Sequence, residues 1–166
     1  MWTVVESPAG DLRVVARDGA GGAVVTSIEF APWRRDGRPL GDPRGDRDDD
    51  HPVLVAVRDQ LSEYFARDRR EFDLPLRPGG SDFQRQVWRQ LELIPWGETA
   101  SYGEVARRIG MTNAASRAVG LANGRNPIPI VIPCHRVIGA DGSLTGYGGG
   151  VERKQVLLAL EQDALF

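Results

Sequence analysis

The chain has 166 residues, of which 41% are hydrophobic and 27% charged, and its formal net charge is −2. This length suits one sizeable domain or two small ones, and the composition is ordinary for a soluble globular protein. No apolar run approaches the ~18–20 residues that span a bilayer, the start lacks the pattern of a secretory signal, and the single cysteine excludes an internal disulfide. One cysteine also excludes a zinc site built from several thiolates, and it fits a reducing cytoplasm.

The first thirty residues predict a small antiparallel meander. Three segments rich in β-branched residues are separated by turn residues, and these segments are Trp2–Glu6, Leu12–Ala16 and Ala23–Phe30. Residues 34–50 contain almost no apolar side chains. Because such a segment cannot bury enough apolar surface to pack, we expect an exposed loop there and assign it no function.

A helix and a further strand are predicted before the middle of the chain. Val53, Val57, Leu61 and Phe65 recur at four-residue steps, which predicts an amphipathic helix that ends near Ala66. Residues 71–76 alternate in polarity and suggest another strand. The breakers at residues 78–80 then predict a domain boundary, with domains at 1–80 and 81–166.

The second half begins with a well-marked helix. Ser81-Asp-Phe-Gln84 has the pattern of an N-terminal capping box. Phe83, Val87, Leu91 and Ile94 predict the buried face of the helix that follows. Residues 95–97, Pro-Trp-Gly, end it.

Two shorter helices with a glycine turn between them are predicted next. Ser101 can cap a helix over Tyr102–Ile109, residues 110–113 make the turn, and a second helix covers about Ala114–Ala122. This order is typical of a helix-turn-helix, although many helical hairpins that never bind nucleic acid share it. The second helix offers mostly Ala, Ser and Gly plus the single cation Arg117, which suits either tight packing on another helix or entry into a nucleic-acid groove.

The middle of the chain is mildly basic. Residues 82–136 carry seven Arg against four acidic residues. This excess is compatible with a surface that binds a polyanion, and equally with ordinary solvated charge.

Residues 126–138 form the most informative stretch. Three prolines disfavour a helix there and predict a rigid extended ridge that holds Cys134. A lone cysteine is commonly an inert small hydrophobe, but Cys134 is flanked by His135 and Arg136, which we expect to lower the pKa of its thiol. Adjacent side chains on a strand point to opposite faces, so Cys134 and His135 meet only through a turn or a bridging water.

The last part of the chain combines a glycine-rich loop and a helix. Residues 139–150 surround Tyr147 with glycines, which suits either a lid beside a pocket or a plain connector. The final helix, about Val151–Asp163, is expected to direct Val156, Leu157 and Leu160 inward. Glu161 lies beside that face, either as a buried partner of His135 or as a solvated residue.

Together these motifs resemble one family. Residues 132–138, Ile-Pro-Cys-His-Arg-Val-Ile, follow Arg-Ala-Val-Gly and Asn-Pro-Ile-Pro and precede Gly-Tyr-Gly-Gly-Gly and Leu-Leu-Ala-Leu-Glu. This pattern resembles the O6-alkylguanine-DNA alkyltransferases, or methylated-DNA–protein-cysteine methyltransferases, from about Phe83 to Glu161. The resemblance implies an α/β (α+β) fold: a small ribonuclease-H-like antiparallel sheet plus helix, then a helical domain with a winged helix-turn-helix-like DNA-binding motif.

The resemblance also implies roles for individual residues. Cys134 matches the alkyl acceptor, His135 the base acting through a water, and Glu161 the carboxylate that orients the imidazole. Asn126 matches the residue that braces the active-site segment, and Tyr102 the one that rotates the nucleotide and protonates the leaving guanine. The implied DNA contacts are Arg117, the finger that replaces the flipped guanine, together with Ser116, Ala118, Gly120 and Tyr102. The implied alkyl pocket consists of Pro129, Val137, Tyr147 and Gly148.

The implied reaction is irreversible transfer of an alkyl group from O6-alkylguanine in double-stranded DNA to Cys134, once per molecule, with the base flipped from the minor groove. O4-alkylthymine is a further substrate that the resemblance leaves open. We expect the sulfur at the floor of a base-sized cavity, beside the small-residue helix. The resemblance implies a monomer in solution, without membrane or cofactor, and leaves cooperative assembly on DNA open.

Two features depart from family members. Some relatives hold zinc in the first half, but residues 1–81 contain His51 and no cysteine, so we expect no metal. Gly148 stands where some members have Ser, which alters pocket contacts.

Three other functions fit parts of the sequence. A non-catalytic protein of the same fold that binds alkylated DNA would have no need of Cys134. A Cys-His hydrolase would leave Arg117 and the small-residue helix unexplained. A helix-turn-helix regulator would usually need a dimerisation element, and none is evident.

Overall fold

The structure, a computed structural model, describes residues 1–33, 44–144 and 147–162. The chain divides into two compact units, Met1–Pro78 and Gly79–Phe166. The fold is mixed α/β, as the sequence predicts: strands dominate the first unit and helices the second. None of the helices in the described residues is long and apolar enough to cross a membrane.

The first unit is a three-stranded antiparallel sheet with one helix. The strands are β1 (Trp2–Val5), β2 (Leu12–Gly19) and β3 (Gly22–Phe30), in the order β1-β2-β3. The predicted meander is therefore confirmed. The register shifts at a bulge between Val15 and Ala16.

Helix α1 (Pro52–Phe65) covers this sheet. It begins at Pro52, after His51, whose side chain accepts a hydrogen bond from the Val53 N–H at 3.2 Å. Its buried residues are Leu54, Val57, Leu61 and Tyr64. The buried stripe is thus wider than the predicted four-residue series, because a helix of 3.6 residues per turn buries both the third and the fourth residue.

Two predictions in the first unit need correction. At 71–76 the described residues form no strand but an isolated bridge between Val25 and Leu76, since Pro75 has no N–H to donate to a ladder. Of the predicted loop 34–50, residues 34–43 lie outside the described residues. Of the remaining residues, Arg44 is half-buried and residues 45–50 are exposed. They nevertheless pair with the edge of the sheet, because the Trp2 N–H donates to the Asp46 carbonyl and the Asp48 N–H to the Trp2 carbonyl.

The second unit begins with helix α2 (Asp82–Glu92), whose predicted capping box is confirmed. The Gln84 N–H donates to the Ser81 hydroxyl at 3.1 Å, and the Gln84 side chain accepts from the Ser81 N–H at 2.9 Å. Trp88 is buried in this helix, and its indole N–H donates to the Ala122 carbonyl at 2.8 Å. This bond ties α2 to the later helix that contains Ala122.

A short parallel strand pair positions the rest of the unit. Strand β4 (Ala100–Ser101) pairs with β5 (Val137–Ile138). Helix α3 (Tyr102–Arg108) follows β4, capped by Ser101 as predicted. A 3₁₀ turn (Asn113–Ala115) and helix α4 (Ser116–Gly124) come next.

Helix α5 (Val151–Glu161) closes the second unit. Lys154, Leu157 and Glu161 are its buried residues. The prediction that Val156 points inward is wrong, since it is 38% exposed. The buried face follows the spacing of residues 154, 157 and 161, which places residue 156 on the adjacent face.

Candidate active site

The segment before Cys134 turns tightly instead of extending as a ridge. The Val131 N–H donates to the Pro129 carbonyl at 2.9 Å, and the Cys134 N–H to Ile132 at 2.8 Å. Ile130 has φ 73°, a left-handed conformation that is rare for a β-branched residue. The prediction of an extended ridge is therefore wrong, because the φ that proline fixes suits turns as well as strands.

Two asparagines hold this turn. The Asn126 side chain donates to the Ile132 carbonyl at 2.8 Å and accepts from the Ile128 N–H at 3.0 Å. Asn123, buried in α4, donates to the Cys134 carbonyl at 3.2 Å. The cysteine is thus fixed both to its own segment and to the small-residue helix.

Cys134 begins a 3₁₀ turn (Cys134–Arg136) and is 3% exposed. Burial raises the pKa of its thiol to about 11, although the Asn126 side chain and the Lys154 charge act in the opposite direction. The expectation that flanking residues lower the pKa of this thiol is therefore wrong. Desolvation outweighs the neighbouring cations, because Arg136 points its charge elsewhere.

His135, Arg136 and Glu161 form a buried cluster. His135 Nε2 lies 2.6 Å from Glu161 Oε1. The Arg136 guanidinium donates Nε to Oε2 and Nη2 to Oε1 of the same carboxylate, both at 2.9 Å, and Nη1 to the Ile94 carbonyl at 2.6 Å. The cluster therefore fixes both the carboxylate and the imidazole ring.

The protonation states of this cluster leave one nitrogen of His135 able to accept a hydrogen bond. Burial alone would raise the pKa of Glu161, but hydrogen bonds from His135 and Arg136 lower it to about 2. Burial lowers the pKa of His135 and outweighs the opposing effect of Glu161. A neutral His135 that donates Nε2–H to the carboxylate carries its lone pair on Nδ1. In the described part of the chain this buried Nδ1 has no hydrogen-bond partner.

Lys154, the one lysine of the chain, is also buried here. Its Nζ donates to the Val137 carbonyl at 2.5 Å. Burial lowers the pKa of Lys154, and the charge that it retains favours the thiolate of Cys134. Within residues 1–33, 44–144 and 147–162, no group of three or more His, Cys, Asp or Glu could hold a metal ion.

The helices α3 and α4 present a second surface. Arg117 and Ala118 are exposed, while Ser116 is half-buried and donates its hydroxyl to the Asn113 carbonyl at 2.7 Å. The Tyr102 ring packs on Gly120, where a Cβ would lie 3.7 Å from it. Tyr102 therefore sits at the junction of the two helices.

The described residues form a cleft, but it is not the expected cavity with the Cys134 sulfur at its floor. A cleft of about 650 Å³ is lined by residues that include Tyr102, Ser116 and Ala140, but Cys134 is not among them. Pro129, Val137 and Tyr147 are buried. A Cβ on Gly148 would lie 2.7 Å from the Gly124 carbonyl oxygen, so Ser at this position would require the backbone to move.

Comparison with known proteins identifies the family. Residues 82–163 match the model described as 6-O-methylguanine DNA methyltransferase, DNA binding domain. The methylated-DNA–protein-cysteine methyltransferase of Mycolicibacterium paratuberculosis is 50% identical over 161 residues, 97% of this chain and 92% of the relative. The chain belongs to the methylated-DNA–protein-cysteine methyltransferase family.

Solved structures of the family share this fold. The crystal structure of Mycobacterium tuberculosis O6-methylguanine methyltransferase superposes with a TM-score of 0.81 at 45% identity, covering 97% of this chain and 92% of that one. The crystal structure of Mycobacterium tuberculosis OGT in complex with DNA gives a TM-score of 0.79 at 46% identity, with the same coverage.

The site residues that the family resemblance implies form two groups in the structure. Cys134, His135, Glu161 and Asn126 come together around one buried turn, and Val137 continues that turn into β5. Tyr102, Ser116, Arg117, Ala118 and Gly120 lie together on α3 and α4. Asn123 in α4 connects the two groups through the Cys134 carbonyl.

Sequence reasoning missed three residues of the site. Asn123 continues the buried face of α4 that contains Val119, and Lys154 lies seven residues before Glu161 on the buried face of α5. Helical spacing could have found both. In the sequence Arg136 stands out only as a neighbour of Cys134, and no local signal shows that it binds a carboxylate 25 residues away.

Proposed function

We propose that this protein repairs DNA by transferring an alkyl group from O6-alkylguanine to Cys134, once per molecule. The observation that carries this proposal is the hydrogen bond between His135 Nε2 and Glu161 Oε1, at 2.6 Å, beside the cysteine. It makes a nucleophile, a base and an orienting carboxylate from buried side chains.

The first step is removal of the thiol proton. With a pKa of about 11, Cys134 is a thiol near neutral pH and a weak nucleophile. His135 Nδ1 has a free lone pair and accepts the proton through a bridging water. Glu161, ionised and held by Arg136, stabilises the imidazolium that results.

The second step is displacement at carbon. The thiolate attacks the alkyl carbon, the S–C bond forms and the C–O6 bond breaks, with its electron pair remaining on guanine. The Tyr102 hydroxyl gives its proton to guanine, and water carries the thiol proton from the His135 imidazolium back to the phenolate, so the net change exchanges the alkyl group for one proton. The thioether has no leaving route and the site offers no group to regenerate the thiol, so each molecule reacts once and needs no cofactor or metal.

Helices α3 and α4 are proposed as a helix-turn-helix that binds double-stranded DNA from the minor groove. The exposed Arg117 fills the space of the flipped guanine, and Ser116, Ala118, Gly120 and Tyr102 contact the strand. A base inside a duplex cannot be reached by a nucleophile, so the alkylated guanine must be flipped out of the stack. This extrusion costs a few kcal/mol of unstacking.

Pro129, Val137, Tyr147 and Gly148 are proposed to line the alkyl pocket. Because Cys134 is 3% exposed, entry of the base must displace the groups that cover the thiol. O4-alkylthymine would present the same alkyl–oxygen bond to the same nucleophile.

The catalytic and DNA-binding work is proposed for residues 81–166, with residues 1–80 as a separate α/β domain. We propose a monomer in solution that acts in the cytoplasm, where a free thiol stays reduced. Cooperative assembly on DNA would be read from the shape of the binding isotherm.

The proposal is tested with a duplex that contains one O6-methylguanine. Nucleoside analysis should show conversion to guanine in an amount that equals the protein added and does not exceed it. Cys134→Ser should abolish conversion while retaining binding. Conversion in large excess over protein would contradict the single-turnover mechanism.

Arg117 is tested by comparing two substrates. Arg117→Ala should slow repair in duplex DNA about ten- to a hundredfold, since its role is to offset unstacking, and leave the reaction with free O6-benzylguanine unchanged. Arg89→Ala, which removes an exposed arginine of α2, is the matched control. Equal losses on both substrates would contradict the finger role.

The alternative function is binding of alkylated DNA without transfer. The burial of Cys134 and its raised pKa favour it, because a covered thiol reacts slowly. Tight binding of the O6-methylguanine duplex with no conversion to guanine would support this alternative.

A further inference from the structure

The exposed side of α4 carries a row of three large side chains. Arg117, Leu121 and Arg125 follow one another at four-residue steps, and Arg125 is the residue that ends the helix. All three are exposed, whereas Val119 and Ala122 on the opposite side are buried. We call these three residues the α4 row.

Leu121 is the unusual member of the row. It is 62% exposed, on a helix whose other residues are mostly small. A single exposed leucine is ordinary and needs no explanation. Here, however, it lies one helical turn from Arg117 and one from Arg125, and neither arginine forms a salt bridge with any described residue.

Charge complementarity points to a polyanion as the occupant of this surface. The chain as a whole is acidic, with a net charge of −2, so two unpaired arginines on one helix face depart from the general balance. The row is about 12 Å long at 1.5 Å per residue, which matches about three base-pair steps of 3.4 Å.

We infer that the α4 row is a DNA contact beyond the finger itself: Leu121 packs against deoxyribose in the minor groove, and Arg125 binds a backbone phosphate. This inference rests on the proposed function, in which Arg117 enters the groove from the same helix face. Minor-groove proteins commonly place apolar side chains in the groove, and cationic side chains bind the backbone phosphates.

The two contacts differ in how salt affects them. A phosphate contact releases counterions. Its removal therefore reduces the magnitude of the negative slope of log K against log salt by about one. An apolar contact releases none, so its removal weakens binding at every salt concentration and leaves the slope unchanged. The salt slope therefore distinguishes the roles of Leu121 and Arg125.

The experiment uses the full chain with Cys134→Ser, so that binding is measured without reaction. Fluorescence anisotropy gives Kd for an O6-methylguanine duplex from about 50 to 200 mM salt. Leu121→Ala should raise Kd about tenfold with an unchanged slope, since a buried leucine is worth about that factor. Arg125→Gln should raise Kd and lower the slope by about one.

Two substitutions outside the row are the controls. Leu93→Ala removes a leucine that is 68% exposed at the end of α2, and Arg89→Gln removes an exposed arginine of the same helix. Leu93→Ala should leave both Kd and slope unchanged, and Arg89→Gln should retain the full slope. Circular dichroism should show that each variant is folded.

Three outcomes would overturn the inference. Leu121→Ala could bind DNA as tightly as its parent, Leu93→Ala could lose as much affinity, or sedimentation could show that Leu121 instead holds two copies of the chain together. Failure of the proposed function is read separately, as the absence of alkyl gain on Cys134 in the unsubstituted chain.

Discussion

Residues Met1–Pro78 bury an almost wholly apolar core, in which Thr3 is the one buried polar residue among those described, whereas Gly79–Phe166 bury Asn123, His135, Arg136, Lys154 and Glu161. The ion pairs described in the first unit range from half-buried to exposed. Glu63 and Arg69, for example, are 47% and 29% exposed. The second unit places an ion pair where its members are 6% and 2% exposed.

This difference is one that the proposed function explains. Removing a charge from water costs several kcal/mol even after the surroundings relax, and a hydrophobic replacement is often equally stable. Stability alone therefore does not require the buried cluster of the second unit. In the proposed mechanism, its hydrogen bonds instead leave His135 Nδ1 ready to accept the thiol proton of Cys134.

The largest expected effect comes from removing that base. His135→Gln should lower the rate of alkyl transfer about 10²- to 10⁴-fold at neutral pH. The unsubstituted protein needs a thiol and a neutral imidazole. With the pKa of His135 lowered and that of Cys134 at about 11, both are present from about pH 7 to 9, so its rate should be flat there and fall at lower pH.

The variant should respond to pH differently. Without the imidazole only the thiolate fraction reacts, so the rate of His135→Gln should rise about tenfold per pH unit below the pKa of the thiol. Stopped reactions with free O6-benzylguanine measure both profiles without DNA binding. A flat profile for His135→Gln would show that His135 is not the base.

The next largest effect is expected on stability, when an ion pair is removed from one unit or the other. Arg136→Ala leaves a buried carboxylate without its bidentate partner and should destabilise the protein by about 3–5 kcal/mol. Arg69→Ala in the first unit removes a bond of 2.6 Å that lies near solvent, and should cost about 1 kcal/mol or less. Urea unfolding of the full chain compares them, and similar costs would remove the contrast between the units.

The stability of the protein at acid pH should depend on Glu161. Because its pKa is lowered to about 2 from 4.5, the ionised carboxylate stabilises the folded state above pH 4.5, and that contribution is lost as pH falls toward 2. The shift corresponds to about 3 kcal/mol. The stability difference between the unsubstituted protein and Glu161→Gln should therefore shrink below pH 4.5, and a difference that stays constant would contradict the assignment.

The smallest expected effect is steric. Gly148→Ala places a Cβ 2.7 Å from the Gly124 carbonyl and should destabilise the second unit by about 1–3 kcal/mol. Gly79→Ala is the control, since a Cβ there meets nothing within 4 Å. Thermal melting of both variants measures the difference. Equal melting temperatures would mean that the loop accommodates a side chain freely.

Local chemistry made much of this fold predictable. The β-branched runs separated by turns became β1–β3, and the capping residues Ser81 and Ser101 start α2 and α3 as expected. The caps depend on neighbours within three residues, and the strands on alternating runs and turns that the sequence shows directly. Helix facing left the pairing of His135 with Glu161 open, and the family resemblance is what implied it.

Burial was not predictable in the same way. The pKa of Cys134 depends on how completely water is excluded, which adjacent His135 and Arg136 do not reveal. Arg136 turns to a carboxylate 25 residues later, and its charge is satisfied there. The proline-rich turn before Cys134 likewise depends on side chains such as Asn126 that bond across several residues.

The most direct measurement is the intact mass of the protein, with a peptide map, after reaction with excess O6-methylguanine duplex. The account predicts that every molecule gains one methyl group in place of one hydrogen, and that the methyl lies on Cys134. An unchanged mass, or a methyl group on any other residue, would contradict it.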